Sequence, residues 1–230
     1  METIVGTNGI IVPPDGYLPS IREVCDQHGI VLILDEVMAG FGRSGKWFAC
    51  EHWDVAPDIL TVAKGINSGY VPLGAMVVSE KIADWVEDKY FAGGLTYSGH
   101  ILACASAVAS IDAFREEGIV ENAAALGGVL AEELPRLAAG HPSIGDVRGK
   151  GLFWGLELVR DRETREPLVP FNATGEAAAP VMRLAKAAME RGLYLFVHWN
   201  VIMIAPPLTI TREELDEGLA VLDEVLALAD

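Results

Sequence analysis

The chain has 230 residues, 51% hydrophobic and 22% charged, enough apolar material for one large domain or two modest ones. With 33 acidic against 17 basic residues the net charge is −16, which repels nucleic acid and anionic lipid at long range and excludes them as partners. Cys25, Cys50 and Cys104 are scattered, odd in number and without metal-ligand spacing, so they read as reduced thiols of a cytoplasmic protein rather than a disulfide framework.

No apolar run has the length of a membrane span, and the opening METIVGTNG lacks the basic-then-apolar pattern of a signal peptide. Met1 to Val5 reads as the tail of a strand entering a turn at Asn8-Gly9, as though the chain began in mid-domain. After the loop Pro13-Pro14-Asp15-Gly16, helical spacing at Ile21, Val24 and Cys25 predicts a helix over Pro19 to His28, closed by Gly29. Val31 to Leu34 is a continuous apolar run, the pattern of a strand covered on both faces. GFGRSG marks a loop, Trp47 to Trp53 one or two helical turns, and Asp58 to Ala63 and Leu73 to Val78 two more strands. Ser79 is placed to N-cap a helix over 79–87.

Phe91 to Gly99 is glycine-rich and aromatic, and Ile101 to Phe114 is apolar enough to predict a helix buried nearly all round. Beyond it come an amphipathic helix over Val120 to Ala139, an alternating strand over Gly151 to Val159, and a polar loop over Asp161 to Asn172. Thr174 to Arg191 is helical, Leu193 to Val197 and Val201 to Ile204 read as paired strands around His198-Trp199-Asn200, and Thr211 with Glu214 forms a capping box opening a helix to Ala229. The change of texture near residue 115 predicts an α/β protein: a mostly parallel sheet with helices over 1–115, then an α+β domain over 116–230.

Chemistry concentrates where two of these strands end. IVLILDEV delivers Asp35 and DILTVAKG delivers Lys64, each at the close of an apolar run where an unpaired charge is costly. Two readings account for them. They form a structural ion pair, or they flank a pyridoxal phosphate (PLP) site, Lys64 carrying the cofactor covalently and Asp35 holding the pyridine nitrogen protonated. The five histidines show no ligand spacing, so no metal is expected, and Gly149, Gly151 and Gly155 have the wrong spacing for a dinucleotide fingerprint.

DEVMAGFGRSG, PDILTVAKGINSGYVPLGA, TYSGH and APPL, in this order and with Lys64 lying 29 residues after Asp35, resemble the class III PLP-dependent aminotransferases of fold type I over essentially the whole chain. The resemblance implies PLP as cofactor, a small-molecule amino donor, a 2-oxo acid acceptor and a homodimer. It implies that 1–115 is the C-terminal part of the cofactor-binding large domain and 116–230 the small domain. It makes Lys64 the lysine that carries the cofactor and moves the proton. Asp35 becomes the ring-nitrogen partner, Val37 a residue packing on the ring face, and Thr96 a residue reaching the phosphate held by a neighbouring subunit. Glu2 matches a common glutamate without an assigned role, and Arg43 reads as a loop anchor.

Three departures qualify the resemblance. Members accepting ornithine-like donors commonly carry an arginine where Met203 stands and a glutamate near Thr7; without that clamp the α-carboxylate of such a donor loses its bidentate partner, which tilts the expectation to ω-amino acids, amino sulfonates or amines. The turn at His198 to Asn200 looks like the same ω-type subgroup. Relatives are nearly twice as long, and no phosphate cup or stacking aromatic precedes Asp35, so the expectation is a truncated chain with weak cofactor binding and apolar sheet edges. Alternatives are a non-catalytic or partner-dependent half of such an enzyme, and an unrelated α/β binding protein in which Asp35 and Lys64 pair only with each other.

Overall fold

A computed structural model describes residues 1–230. The chain divides into two units, the first built from Met1–Ile4 and Pro13–Glu121, the second from Val5–Val12 and Asn122–Asp230.

In the first unit, helix α1 (Tyr17–His28) ends at Gly29 in the left-handed conformation, whose N–H reaches Cys25 O, as the sequence predicts. Strands β1 (Ile33–Asp35), β2 (Ile59–Val62) and β3 (Ala75–Val78) form a sheet in that order. β1 and β2 are parallel with Asp35 opposite Thr61; β3 is antiparallel, with Val77 opposite Leu60. The Asp58 carboxylate accepts from Leu32 N at 2.8 Å and from Arg22 at 2.9 Å, tying α1 to the entry of β2. Helix α2 (Glu80–Val86) follows Ser79, but its hydroxyl makes no capping bond.

Two expectations fail here. β1 is not covered on both faces: Leu32 and Leu34 are buried while Val31 and Ile33 are exposed. Helix α3 (Ile101–Glu116) buries Ala103, Ala107 and Phe114 but leaves Ile101, Leu102 and Val108 more than 60% exposed. The helix packs along one stripe, with Phe114 against Phe41 and Trp47, and the apolar residues off that stripe stay exposed.

The second unit is an antiparallel sheet in the order β4 (Ile144–Lys150), β5 (Phe153–Asp161), β8 (Val201–Ile204), β7 (Phe196–His198), with β6 (Glu166–Pro167) paired to β5. β4 and β6 were not foreseen, since β4 is polar and glycine-containing and β6 is two residues within a polar loop. The apolar stripes of helices α4 (Ile119–Gly140), α5 (Ala179–Glu190) and α6 (Arg212–Leu226) merge with the sheet into a core around Leu130, Leu134, Leu156, Leu184, Ile202 and Leu226, each at most 1% exposed. At roughly 1.5–3 kcal/mol for each fully buried aliphatic side chain, this core is the main stabilising term of the unit. Thr211 and Glu214 make the expected capping box on α6. Phe153 to Leu156 are buried consecutively rather than alternately, because Val5–Val12 covers the second face: a Cβ on Gly155 would lie 3.1 Å from Gly9 O and 3.3 Å from Ile10 Cβ. No helix is long and apolar enough to cross a membrane.

Candidate active site

The parallel pairing of β1 and β2 brings the two sequence-predicted ionisable residues to the same edge of the sheet. Asp35 closes β1, and Lys64 stands three residues beyond Thr61, its counterpart in β2. The carboxyl ends of neighbouring parallel strands are where open α/β sheets bind ligands.

Asp35 is held on both sides. Its N–H donates to Met1 O at 2.8 Å and its carbonyl accepts from Thr3 N at 3.3 Å, while the next residue's N–H reaches Thr61 O at 2.9 Å. The side chain is half-buried, and its Oδ1 accepts from the Val37 amide at 2.9 Å. That bond fixes the carboxylate plane and leaves Oδ2 without a protein donor, a strong acceptor aimed by its own turn.

Lys64 opens a single 3-10 turn, Lys64–Ile66, with φ at +45°, the left-handed region a lysine rarely adopts. Such strain, on the order of 1–3 kcal/mol, persists only where the surroundings impose it. Here the following residue supplies the reason: Gly65 packs against Phe41, and a Cβ on it would lie 2.6 Å from the Phe41 Cβ. Phe41 is in turn held edge-on by Phe48 and Phe114, at centroid distances of 5.5 and 6.4 Å.

The sequence reading supposed both charges buried; the structure corrects this. Lys64 is exposed and Asp35 half-buried, because β1 and β2 are covered on one face only. No ion pair within 4.0 Å joins them. The structural ion pair is therefore not formed, leaving an unpaired amine and a carboxylate with one open oxygen at one sheet edge. Val37 is half-buried immediately after Asp35, and Thr96 lies exposed in the turn at 96–99. Met203 is 7% exposed within β8.

Glu36 was missed. It is fully buried, and its two oxygens accept from Ala49 N at 3.0 Å and Cys50 N at 2.8 Å, closing the loop that carries Phe41 and Arg43. Burial, only partly offset by these amides, raises its carboxyl above the usual range. The signal was a charged residue directly beside Asp35 in an apolar run. Burial likewise lowers the Arg43 guanidinium to about 10, in keeping with a loop anchor. A cleft of about 540 Å³ lined by Phe48, Leu60 and Val77 lies on the opposite side of the sheet, since Leu60 and Val77 alternate with Thr61, which shares its face with Asp35. It is not part of this site.

The family model for class-III aminotransferases matches residues 1–226. Taurine–pyruvate aminotransferase of Bilophila wadsworthia is 39% identical over 237 residues, covering 100% of this chain and 52% of that protein. Leucine/methionine racemase of Thermococcus litoralis is 42% identical over 227 residues, covering 98% and 48%. Among solved structures, taurine:2-oxoglutarate aminotransferase from Bifidobacterium kashiwanohense, in complex with PLP and glutamate, superposes with a TM-score of 0.93 at 44% identity, covering 99% of this chain and 50% of that one. The chain thus spans about half the length of the relatives it matches. Its α/β fold is that of these transaminases, fold type I of the PLP-dependent enzymes, and the chain belongs to the class-III aminotransferase family.

Proposed function

We propose that this chain provides the lysine and the ring-nitrogen carboxylate of a PLP-dependent aminotransferase that moves an amino group from an ω-amino acid, amino sulfonate or amine to a 2-oxo acid. The observation that carries the reading is the unpaired Asp35 and Lys64 at the carboxyl ends of two paired parallel strands. The chemistry of this donor set fits the cofactor: a free amine for its aldehyde, and an open carboxylate oxygen for its ring N–H. When bound, PLP supplies an electron sink for the negative charge left by deprotonating the donor's amino carbon.

The rest belongs to the chain. Lys64 Nζ would be the attachment point and, once the donor's amine has displaced it, the free base that takes the proton from the donor's amino carbon. Asp35 Oδ2 accepts the ring N–H and keeps that proton in place, with Oδ1 occupied by Val37 N–H so that the carboxylate does not rotate. The Val37 side chain bounds one ring face. The Thr96 hydroxyl is exposed and serves as a donor to a phosphate bound mainly by a second subunit of a homodimer. In this reading residues 1–115 belong to the cofactor-binding large domain and 116–230 to the small domain, in a cytoplasmic enzyme.

The names of the taurine aminotransferases, together with Met203 in place of an arginine, support the donor class. Because the chain spans about half the length of those proteins, the test is made on these residues joined to the part of a class-III aminotransferase that they do not span.

Incubating that joined protein with PLP, reducing with borohydride and mapping the labelled peptide tests the assignment. Label at Lys64, abolished by Lys64→Arg, supports it. No label, or label spread evenly over Lys46, Lys81 and Lys64, overturns it.

A further inference from the structure

Glu36 is a buried carboxylate that no step of the proposed reaction uses, and it is tied at both ends within the first unit. Its N–H donates to Thr61 O at 2.9 Å, three residues before Lys64. Its side-chain oxygens accept from Ala49 and Cys50, so the residues between form a loop whose two ends meet on one side chain. Inside the loop the backbone is wound tightly. Gly40 N–H returns to Glu36 O at 3.0 Å, Gly42 N–H reaches Lys46 O at 3.1 Å, and Phe41 and Gly42 have φ of +52° and +82°. A Cβ on Gly40 would lie 2.8 Å from Glu36 O and 3.2 Å from the Phe48 ring, so the winding admits no side chain there. Phe41, 6% exposed, meets the Phe48 ring near the loop's close and Gly65 directly after Lys64.

We propose that Glu36 is a positioning residue for Lys64: by closing the loop over 36–50 it holds Phe41 against Gly65, and so keeps Lys64 in its left-handed conformation. Each link is a contact already described. Ala49, gripped by Glu36 Oε2, directly follows Phe48; the Phe48 ring packs edge-on to Phe41; Phe41 presses on Gly65. The turn that carries Lys64 is closed by Ile66 N–H donating to Ala63 O at 3.1 Å. A conformation that a lysine rarely adopts persists only where its surroundings impose it, and this packing is what imposes it. A carboxylate suits the task because it has acceptors only, and so receives two converging N–H groups without a conflicting donor. A glutamine of the same shape turns its Nε2 donor on one of them and leaves that amide unpaired.

The bearing on catalysis rests on the reading of Lys64 as the cofactor's attachment point. The coupling itself does not, and its test needs no cofactor. Amide hydrogen exchange is measured on the 230-residue chain, on Glu36→Gln, on Phe41→Leu and on the double variant, with circular dichroism confirming that each folds. Glu36→Gln is expected to speed exchange at Ala49, Cys50 and Ile66 about five- to ten-fold, while Ser79 N–H, bonded to Asp58 O ahead of β2, is unchanged. Phe41→Leu, which removes the ring contact with Phe48, speeds Ile66 but neither Ala49 nor Cys50. In that background Glu36→Gln speeds Ala49 and Cys50 without any further effect on Ile66, the non-additivity expected of a chain of contacts cut in its middle. Acceleration confined to Ala49 and Cys50, acceleration shared equally by Ser79, or an undiminished effect on Ile66 in the double variant overturns the proposal. An unchanged Ile66 in Phe41→Leu alone overturns it even if Glu36→Gln does not fold. Borohydride labelling of Lys64 in the joined protein is read separately, so a failure of the cofactor reading and a failure of this coupling are told apart.

Discussion

Gly65 and Phe41 approach so closely that no side chain fits between them: the Cβ of any other residue at 65 would lie 2.6 Å from the Phe41 Cβ. The glycine lets the turn behind Lys64 press on an aromatic group that is itself locked by Phe48 and Phe114. Gly65→Ala forces this packing apart at a cost of about 1–3 kcal/mol, as overpacking does elsewhere, and shifts the Lys64 backbone with it. The expected result is a lowered melting temperature together with reduced borohydride labelling of Lys64. A variant with unchanged labelling would show that the Phe41 contact does not position the lysine.

Asp35→Asn separates the two oxygens of the carboxylate. The Asn carbonyl still accepts from Val37 N–H, so the turn survives, but the other position becomes an amide donor, which under the proposed function would face the ring nitrogen. Losing a hydrogen bond to a charged group, worth about 1.5–3 kcal/mol, predicts a fall in amino-transfer rate on the order of 10- to 100-fold with Lys64 labelling retained. Single-turnover kinetics with an amine donor give the rate, and peptide mapping gives the label.

His141 predicts a pH dependence of stability. Its ring is buried, with Nδ1 2.7 Å from Asp230 and Nε2 2.9 Å from Asp223, so both nitrogens donate only when the imidazole is protonated. Burial works against the charge, but the hydrogen bonds and charges of Asp223 and Asp230 outweigh it and raise the imidazole above its usual value. A raised pKa gives stabilisation that is complete below the ordinary value of about 6.5 and is lost as pH rises through the raised one. Asp230, which also accepts from the Ser143 hydroxyl, titrates below its usual value against the opposing effect of burial, so its contribution is lost only under more acid conditions. The melting-temperature gap between the natural chain and His141→Gln is therefore larger at pH 5.5 than at pH 8.5. An equal gap at both would mean that the ring is neutral throughout.

The thiols differ in reactivity. Cys50 is buried, and burial, followed by the nearby charges of Glu36 and Glu51, pushes it up to about 12. Cys104 lies exposed on α3, and Cys25 is buried on α1. Iodoacetamide at pH 8 in native buffer is expected to modify Cys104 first, with Cys50 reacting only in denaturant. Early modification of Cys50 would show that the loop closed by Glu36 opens readily.

What the sequence revealed about this site depended on how each residue was marked. The places of Asp35 and Lys64 at the ends of β1 and β2 were legible because each closes an apolar run, and the helix ends at Gly29 and Thr211 were legible because their chemistry is local. Glu36 was not, since an acidic residue following another acidic residue reads as a solvated turn until the two amides it caps, 13 and 14 residues away, are seen. Positive φ at Lys64 and Ile10 left no trace, because neither residue type announces it. The exposure of β1 and α3 was misjudged for the opposite reason: apolar composition reports a preference for burial, not the supply of neighbours to satisfy it. β4 was hidden because IGDVRGK alternates weakly and gains its strand character from pairing with β5.

The uncovered row of Ile101, Leu102 and Val108 on α3 makes this protein's colloidal behaviour depend on its surplus of acidic groups. At neutral pH the −16 charge keeps molecules apart over roughly one Debye length, about 8 Å in physiological saline, and so protects a surface that is otherwise adhesive. Acidifying toward the isoelectric point near 4.6, or adding molar salt, removes that protection without touching the fold, and the first sign will be turbidity rather than unfolding.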